Sequence, residues 1–292
     1  MDLTQGARKD LVSRREALTL LGAIAAVRSA GAAEQAIMQP VSLDHVNIRV
    51  SNTARSGAFY TGLFDTPVLR NAALRAQPTS PPSEGFFLKF GDGYLAISQA
   101  FAPDKPDLDH YSLGIRDYDK AKLAVKLQEG GIAALQRSST DLWVSDPDGA
   151  LMQLRPPGGW ARQTAMPYQG AARVGPALSP LSMSRIGIRV ADLARAGDFY
   201  GRLFGTEIAS AASTRSRAFS LGDSVLELIA APANSGSAVG RGLDYIRIAV
   251  KDFTVEMAMR ILRERGIEIG AVPGAVHIAD PDGIRIELAA ES

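Results

Sequence analysis

Three histidines, His45, His110 and His277, are the only imidazoles in 292 residues, and there is no cysteine. Disulfides, zinc–thiolate centres, iron–sulfur clusters and a thiolate nucleophile are therefore excluded. Any metal must be held by imidazole, carboxylate, amide or hydroxyl groups. Two of the histidines end the same tripeptide, Leu-Asp-His, at 43–45 and again at 108–110. Imidazoles at matched places in a repeat have two uses. They can ligate one divalent ion together, or they can serve as general base and general acid, since imidazole titrates near neutral pH.

The residues around them repeat as well. DHVNIRVSNTARSGAFYTGLF, 44–64, returns as SRIGIRVADLARAGDFYGRLF, 184–204, with ten of 21 positions identical and Arg185 where His45 stood. In 43–50 apolar and polar residues alternate. Val46, Ile48 and Val50 take one face of a strand, and His45, Asn47 and Arg49 the other. Asn52-Thr53 caps a helix over 54–64 that carries Phe59, Tyr60, Leu63 and Phe64. Strands at 86–90 and 94–98 follow, joined by Gly-Asp-Gly. A second pass puts a strand at 109–116, a helix at 118–129 and two strands around the Asp-Pro-Asp-Gly of 146–149. A third pass runs over 183–230. The fourth, 243–289, carries another Asp-Pro-Asp-Gly at 280–283. The reading is an α+β chain of four βαβββ units in two domains, 41–156 and 182–290, joined by a Pro-, Gly- and Ala-rich linker at 157–181.

Bulk properties set limits. Thirty-two basic and 31 acidic residues leave a net charge of +1. There is no basic stripe, hence no electrostatic ground for a nucleic-acid partner, and no motif for a nucleotide cofactor. Residues 1–33 read as an address: Arg14-Arg15, an apolar run from Ala17 to Val27, then Ala30-Gly31-Ala32 before a cleavage point. This layout resembles a twin-arginine export signal, and its apolar run is too short for a transmembrane helix. The expected location is the periplasm or the medium, with a cytoplasmic amphipathic helix as the alternative. No other segment is long and apolar enough to span a membrane. Homodimer formation is left open.

The pattern H-x-x-x-x-V…FY…LF, then G-x-x-L-x-I/L, then LDH/LDY, then DPDG-x-x-x-E/Q-L, resembles the vicinal oxygen chelate superfamily. That superfamily holds glyoxalases, bleomycin-resistance proteins and extradiol dioxygenases. The resemblance implies that paired units curve into a cup, with metal ligands from matched strand positions. In the first cup these are His45, Ala96, His110 and Gln153; in the second they are Arg185, Glu227, Tyr245 and Glu287. It implies a divalent metal, Fe(II), Mn, Zn or Ni, on His45, His110 and Gln153, although Ala96 cannot ligate and Gln153 is an amide where a carboxylate is usual. Asn47, Arg49, Ser98, Ser112 and Arg155 are the expected substrate contacts.

Strand alternation predicts that Asp44 and Asp109 point away from that cup. In the second cup Arg185, Arg189, Arg247 and Arg285 face Glu227, Glu287 and Tyr245, a set suited to a structural ion-pair cluster or to an anion. Counting along the last hairpin puts His277 on the face of Ile286, away from Glu287, and treats it and Trp143 as packing. The expected function is an enzyme acting on a small oxygenated molecule. Chain size favours an extradiol-type ring-cleaving dioxygenase. A glyoxalase-like lyase or isomerase and a non-catalytic binder of the bleomycin-resistance kind are the alternatives.

Overall fold

A computed structural model describes residues 36–70, 85–101, 103–158, 164–166, 177–205, 207–208, 215–232 and 242–291. The export segment read in residues 1–33 lies outside them. The first unit comprises β1 (Pro40–Val50), α1 (Thr53–Leu63), β2 (Val68–Arg70), β3 (Phe86–Phe90) and β4 (Gly93–Gln99). The second comprises β5 (Asp107–Ile115), α2 (Lys120–Glu129), β6 (Ala134–Leu135), β7 (Leu142–Ser145) and β8 (Leu151–Arg155). A short strand, β9 (Thr164–Met166), falls in the stretch read as a linker and pairs with β2. The third unit holds β10 (Pro180–Val190), α3 (Leu193–Phe204), β11 (Ser216–Ser220) and β12 (Val225–Ala230). The fourth holds β13 (Leu243–Val250), α4 (Val255–Glu264), β14 (Gly270–Val272), β15 (Ala275–Ala279) and β16 (Arg285–Ala289).

These strands make two mixed sheets, so the fold is α+β. One has nine strands in the order β6-β7-β8-β5-β1-β4-β3-β2-β9, the other seven in the order β11-β12-β10-β13-β16-β15-β14. The same rule builds every unit. The first strand runs parallel to its own unit's last strand, which requires a crossover, and the helix supplies it. Units then join through their first strands, β1 antiparallel to β5 and β10 antiparallel to β13. Each sheet therefore has its two repeat-leading strands at its centre, which is where the site residues sit.

Period-two patterning decides which face is covered. Val46, Ile48 and Val50 lie in the hydrophobic core with Tyr60 and Leu63 of α1, and Ile186, Ile188 and Val190 lie there with Tyr200 and Leu203 of α3. Among the described residues, all four helices start on a short polar side chain that accepts backbone N–H bonds: Asn52, Asp119, Asp192 and Thr254. The opposite face carries the polar partners of the alternation, His45, Asn47 and Arg49 in β1 and Arg185 and Arg189 in β10.

The two Asp-Pro-Asp-Gly turns do more than reverse the chain. The first Asp of each, Asp146 and Asp280, is buried and accepts backbone N–H bonds from within its own turn. It also accepts a hydroxyl from the other domain. Tyr60 donates to Asp280 at 3.1 Å, and Tyr200 donates to Asp146 at 3.1 Å. The second Asp of each turn reaches out too. Asp282 takes Ser51 N at 3.0 Å and Arg55 Nη2 at 2.8 Å, while Asp148 takes Ala191 N at 2.9 Å and the Arg195 guanidinium.

Segments leading into each domain cross over in the same reciprocal way. Ile37 and Met38 bond to Arg202 and Leu203 at the end of α3, and Leu178 bonds to Leu63 and Asp65 at the end of α1. A pseudo-twofold latch thus holds the two halves, and its buried members are phenol–carboxylate hydrogen bonds. Burial raises the carboxyl groups of Asp146 and Asp280 above the ordinary carboxylate range, and the hydrogen bonds from backbone N–H groups and from the tyrosines oppose that rise.

Removing one phenol strands a buried acceptor, which costs about 1–3 kcal/mol. Tyr60→Phe is expected to lower the unfolding free energy in urea by that amount. Tyr200→Phe is expected to cost more, because Tyr200 also meets the Tyr111 hydroxyl at 3.0 Å. Equal stability of either variant and the wild type would show that the latch carries no load.

Candidate functional site

The site begins with two defects in one ladder. Between β1 and β5, Leu43 pairs with Leu113 and His45 with Ser112, so Asp44 is one residue too many on β1. Further along, Asn47 pairs with His110 and Ile48 with Leu108, so Asp109 is one too many on β5. Each extra residue is a β-bulge, which breaks strict alternation and turns neighbouring side chains to one face. The expectation that Asp44 and Asp109 point away from the histidines is thereby corrected: both turn to the histidine beside them. The sequence rule failed because it assumed an unbroken period of two.

The result is a continuous chain of polar groups. Asp44 Oδ2 accepts from His45 Nδ1 at 3.0 Å, and Asp109 Oδ2 accepts from His110 Nδ1 at 2.6 Å. The two Nε2 atoms face each other at 2.9 Å. Beyond the carboxylates stand two arginines. Arg155 Nη1 is 3.3 Å from Asp44, and Arg49 Nη2 is 2.5 Å from Asp109. A histidine, its bulge aspartate and an arginine thus repeat about the centre, with His45 and His110 only 4% and 9% exposed.

Electrostatics follow from this burial. Desolvation pushes His45 down to about 4, although the Asp44 hydrogen bond raises it, and the neighbouring His110 lowers it further. Burial alone would raise Asp109. The hydrogen bond and charge of His110, together with Arg49, outweigh it and hold that carboxyl at about 2. Each carboxylate takes the Nδ1 side of its imidazole, which leaves the two Nε2 atoms to meet each other. At this separation the two nitrogens share one proton in a hydrogen bond, in the place a cation bound by both would take.

Aromatic rings flank the imidazoles. Tyr94 lies against His45 with centroids 4.3 Å apart, Phe87 meets Tyr94 edge-on at 5.4 Å, and Trp143 meets His110 edge-on at 4.8 Å. Trp143 therefore belongs to the site face and is more than packing. The other anticipated residues are placed as follows. His45, Ser112 and Gln153 lie in one cross-strand row, with Trp143 next to Gln153. Gln153 Nε2 donates to Asp141 at 2.6 Å. Ala96 pairs with Asn47, whose Oδ1 accepts from Ser98 at 3.0 Å. Ser112 Oγ is buried without a hydrogen-bond partner. The guanidinium groups of Arg49 and Arg155 are engaged by the bulge aspartates. Among the described residues, no group of three or more His, Cys, Asp and Glu is placed to hold a metal, so a third protein donor beside the histidines must be an amide or hydroxyl.

The second sheet keeps the scaffold and changes the chemistry. Its β10–β13 ladder has bulges at the same two places, Ser184 and Asp244. Arg185 replaces His45, Tyr245 replaces His110 and Glu287 replaces Gln153. Tyr245 donates to Glu227, and burial together with that carboxylate raises its phenol well above the ordinary range, so the proton stays on. Its ring lies where a Cβ at Gly187 would stand, 2.4 Å away, so only glycine fits there. Arg247 gives Nε and Nη2 to Glu287 at 3.0 and 2.8 Å, and Arg285 Nη2 reaches the same carboxylate at 2.6 Å. Arg185 meets Glu227 only at 3.4 Å. His277 pairs directly with Glu287 across β15 and β16 and so shares its face, which corrects its expected place beside Ile286. The count along the hairpin went wrong by one residue, and a slip of one flips a strand's faces.

Comparison with known proteins agrees with this architecture. Residues 182–288 match the Glyoxalase/Bleomycin resistance protein/Dioxygenase superfamily. No curated protein matches the chain by sequence. Among solved structures, the 2,3-dioxygenase LapB from Pseudomonas sp. KL28 is similar with a TM-score of 0.62 at 15% identity, covering 86% of this chain and 92% of its own. Homoprotocatechuate 2,3-dioxygenase from Brevibacterium fuscum, in complex with 3,4-dihydroxyphenylacetate, gives 0.61 at 14%, covering 86% and 80%. The Mn(II)-bound glyoxalase from Novosphingobium aromaticivorans gives 0.63 at 13%, covering 87% and 83%. At such identities the likeness is one of fold. The superfamily match thus falls on the second half of the chain, and the first half is built on the same units.

Proposed function

We propose that the chain is a metal-dependent enzyme of this superfamily, working on a small oxygenated molecule at His45 and His110. One observation carries the reading: two Nε2 atoms face each other at 2.9 Å, each imidazole held by a carboxylate on its far nitrogen. A divalent ion would be held by His45 and His110 through these two nitrogens. Carboxylates on the second nitrogen orient metal-binding imidazoles and raise their basicity. They also supply negative charge that a neutral His, His and Gln set lacks. The Gln153 carbonyl oxygen is the third protein donor by its place in the row. A divalent ion at this site would polarise adjacent substrate oxygens.

The surrounding residues do the rest. Asp44 and Asp109 orient the imidazoles, and Arg155 and Arg49 hold those carboxylates in place. Tyr94 and Phe87 on one side and Trp143 on the other offer flat apolar walls to a planar molecule. Those walls, with the likeness to two-domain 2,3-dioxygenases, favour ring-cleaving dioxygenase chemistry. A glyoxalase-like lyase or isomerase is the second reading. It is favoured by Gln153 standing where a carboxylate is usual, and by the Asp–His pairs, which are suited to moving protons. Either way we propose export through the Arg14-Arg15 segment, so that Lys at both positions should retain the protein inside the cell, as fractionation would read.

Metal-stripped protein titrated with Mn(II) or Fe(II) is expected to bind one ion. His45→Ala and His110→Ala should abolish that binding. Asp44→Asn and Asp109→Asn should weaken it about 10–100-fold, and Gln153→Glu should tighten it. Equal metal content in wild type and both histidine variants would remove the reading.

Acid stability gives a second check. His45 has a folded value of about 4 against an ordinary 6.5. Between those values the unfolded chain binds a proton that the folded chain refuses, so stability falls as pH drops through that window. The loss in metal-free protein should reach at most about 3 kcal/mol. Asp109, held at about 2, adds a further loss only below 3.8. His45→Gln should flatten the upper window in pH-dependent urea melts and leave the lower one.

A further inference from the structure

The second sheet carries a polar cluster that the proposed reaction does not use. Three guanidinium groups, Arg189, Arg247 and Arg285, meet two carboxylates, Asp244 and Glu287, in one connected set, and the Arg185–Glu227 pair stands on the neighbouring strands. Among the described residues of this set, one positive charge is uncompensated. Its distribution is uneven. Glu287 serves two arginines at once, whereas Asp244 lies 3.6 Å from Arg189 and 3.7 Å from Arg285, beyond hydrogen-bond reach. Arg185 has a single 3.4 Å contact.

Arg185 and Arg247 are also direct cross-strand partners. Like charges in that position repel and destabilise a sheet. Two buried side-chain nitrogens in the same region, the Arg285 Nε donor and His277 Nδ1, have no hydrogen-bond partner among the described residues. Such groups are costly to leave unpaired. Repelling cations, a surplus positive charge and an orphaned donor share one remedy, an anion bearing acceptor oxygens. The arginine side chains are 23% (Arg185), 40% (Arg189), 30% (Arg247) and 37% (Arg285) exposed, so an anion from solvent can reach them.

We propose that this cluster is a second binding site, for a small carboxylate. A surplus of one charge matches a monoanion, and planar guanidinium forks bind planar carboxylates through paired hydrogen bonds. Tyr245, whose ring lies 5.9 Å from the Arg247 guanidinium and 5.6 Å from that of Arg285, gives the site a flat floor. The position that presents His45 in the first sheet presents a fixed cation, Arg185, here, so the duplicated scaffold takes up an oxygen-bearing ligand without a metal. The proposal is independent of the metal reading of the first site.

Isothermal titration of the full chain with sodium benzoate, at ionic strength held constant with sodium chloride, tests it. One saturable site is expected, weakened at least tenfold by Arg185→Gln and less by Arg185→Lys, which keeps the charge and loses the fork. His45→Ala should leave benzoate binding unchanged, which separates this site from the first. Arg189→Gln, at a residue with only a long contact, serves as the second variant should Arg185→Gln fail to fold. The proposal is overturned by absence of saturable benzoate binding, by binding insensitive to the arginine variants or lost in His45→Ala, or by inorganic phosphate binding tenfold more tightly than benzoate.

Discussion

Everything at the first site depends on two single-residue bulges in the ladder that joins β1 to β5. In an unbroken ladder Asp44 and Asp109 would lie against the helices, where a carboxylate without partners is strongly disfavoured. The bulges bring each aspartate to the face of the histidine that follows it. There it orients the imidazole, lends negative charge and takes an arginine on its other side. Burial keeps His45 neutral far below its ordinary range. The two Nε2 atoms therefore converge on one point in space.

The same bulges recur at Ser184 and Asp244, so duplication copied the backbone irregularity along with the strands. What it did not keep was the charge logic. The first sheet sets neutral donors before buried carboxylates; the second sets arginines before glutamates and fills the space above Gly187 with the Tyr245 ring. The residues matching the superfamily, 182–288, lie in the half without ligating histidines, while the imidazole pair lies in the other. Family likeness and site chemistry are therefore carried by different halves of one chain.

The halves are tied by exchange. Each Asp-Pro-Asp-Gly turn docks on the opposite domain's first helix and on the residues that lead into it, through Tyr60 and Asp280 on one side and Tyr200 and Asp146 on the other. A motif that reads locally as a tight turn is also the interface. Because the second aspartate of each turn binds a backbone N–H just before the partner helix, the latch fixes the start of that helix. Each helix in turn covers the sheet that presents a site.

The sequence by itself determined the units, their order and most of their elements. Alternation in 43–50, helical spacing of Phe59, Tyr60 and Leu63, and turn residues at 91–93 and 146–149 are local signals, and local backbone preference is enough to set them. It also singled out His45 and His110, because a repeat aligns residues regardless of how the chain folds. Only the tertiary structure decided which way Asp44, Asp109, Trp143 and His277 face. A bulge or a one-residue change in register reverses the side of a strand, and pairing between strands 65 residues apart leaves no mark on the sequence of either one. The reciprocal tyrosine–aspartate latch was invisible for the same reason: its partners lie 220 and 54 residues apart, and only the packed domains bring each phenol to its carboxylate.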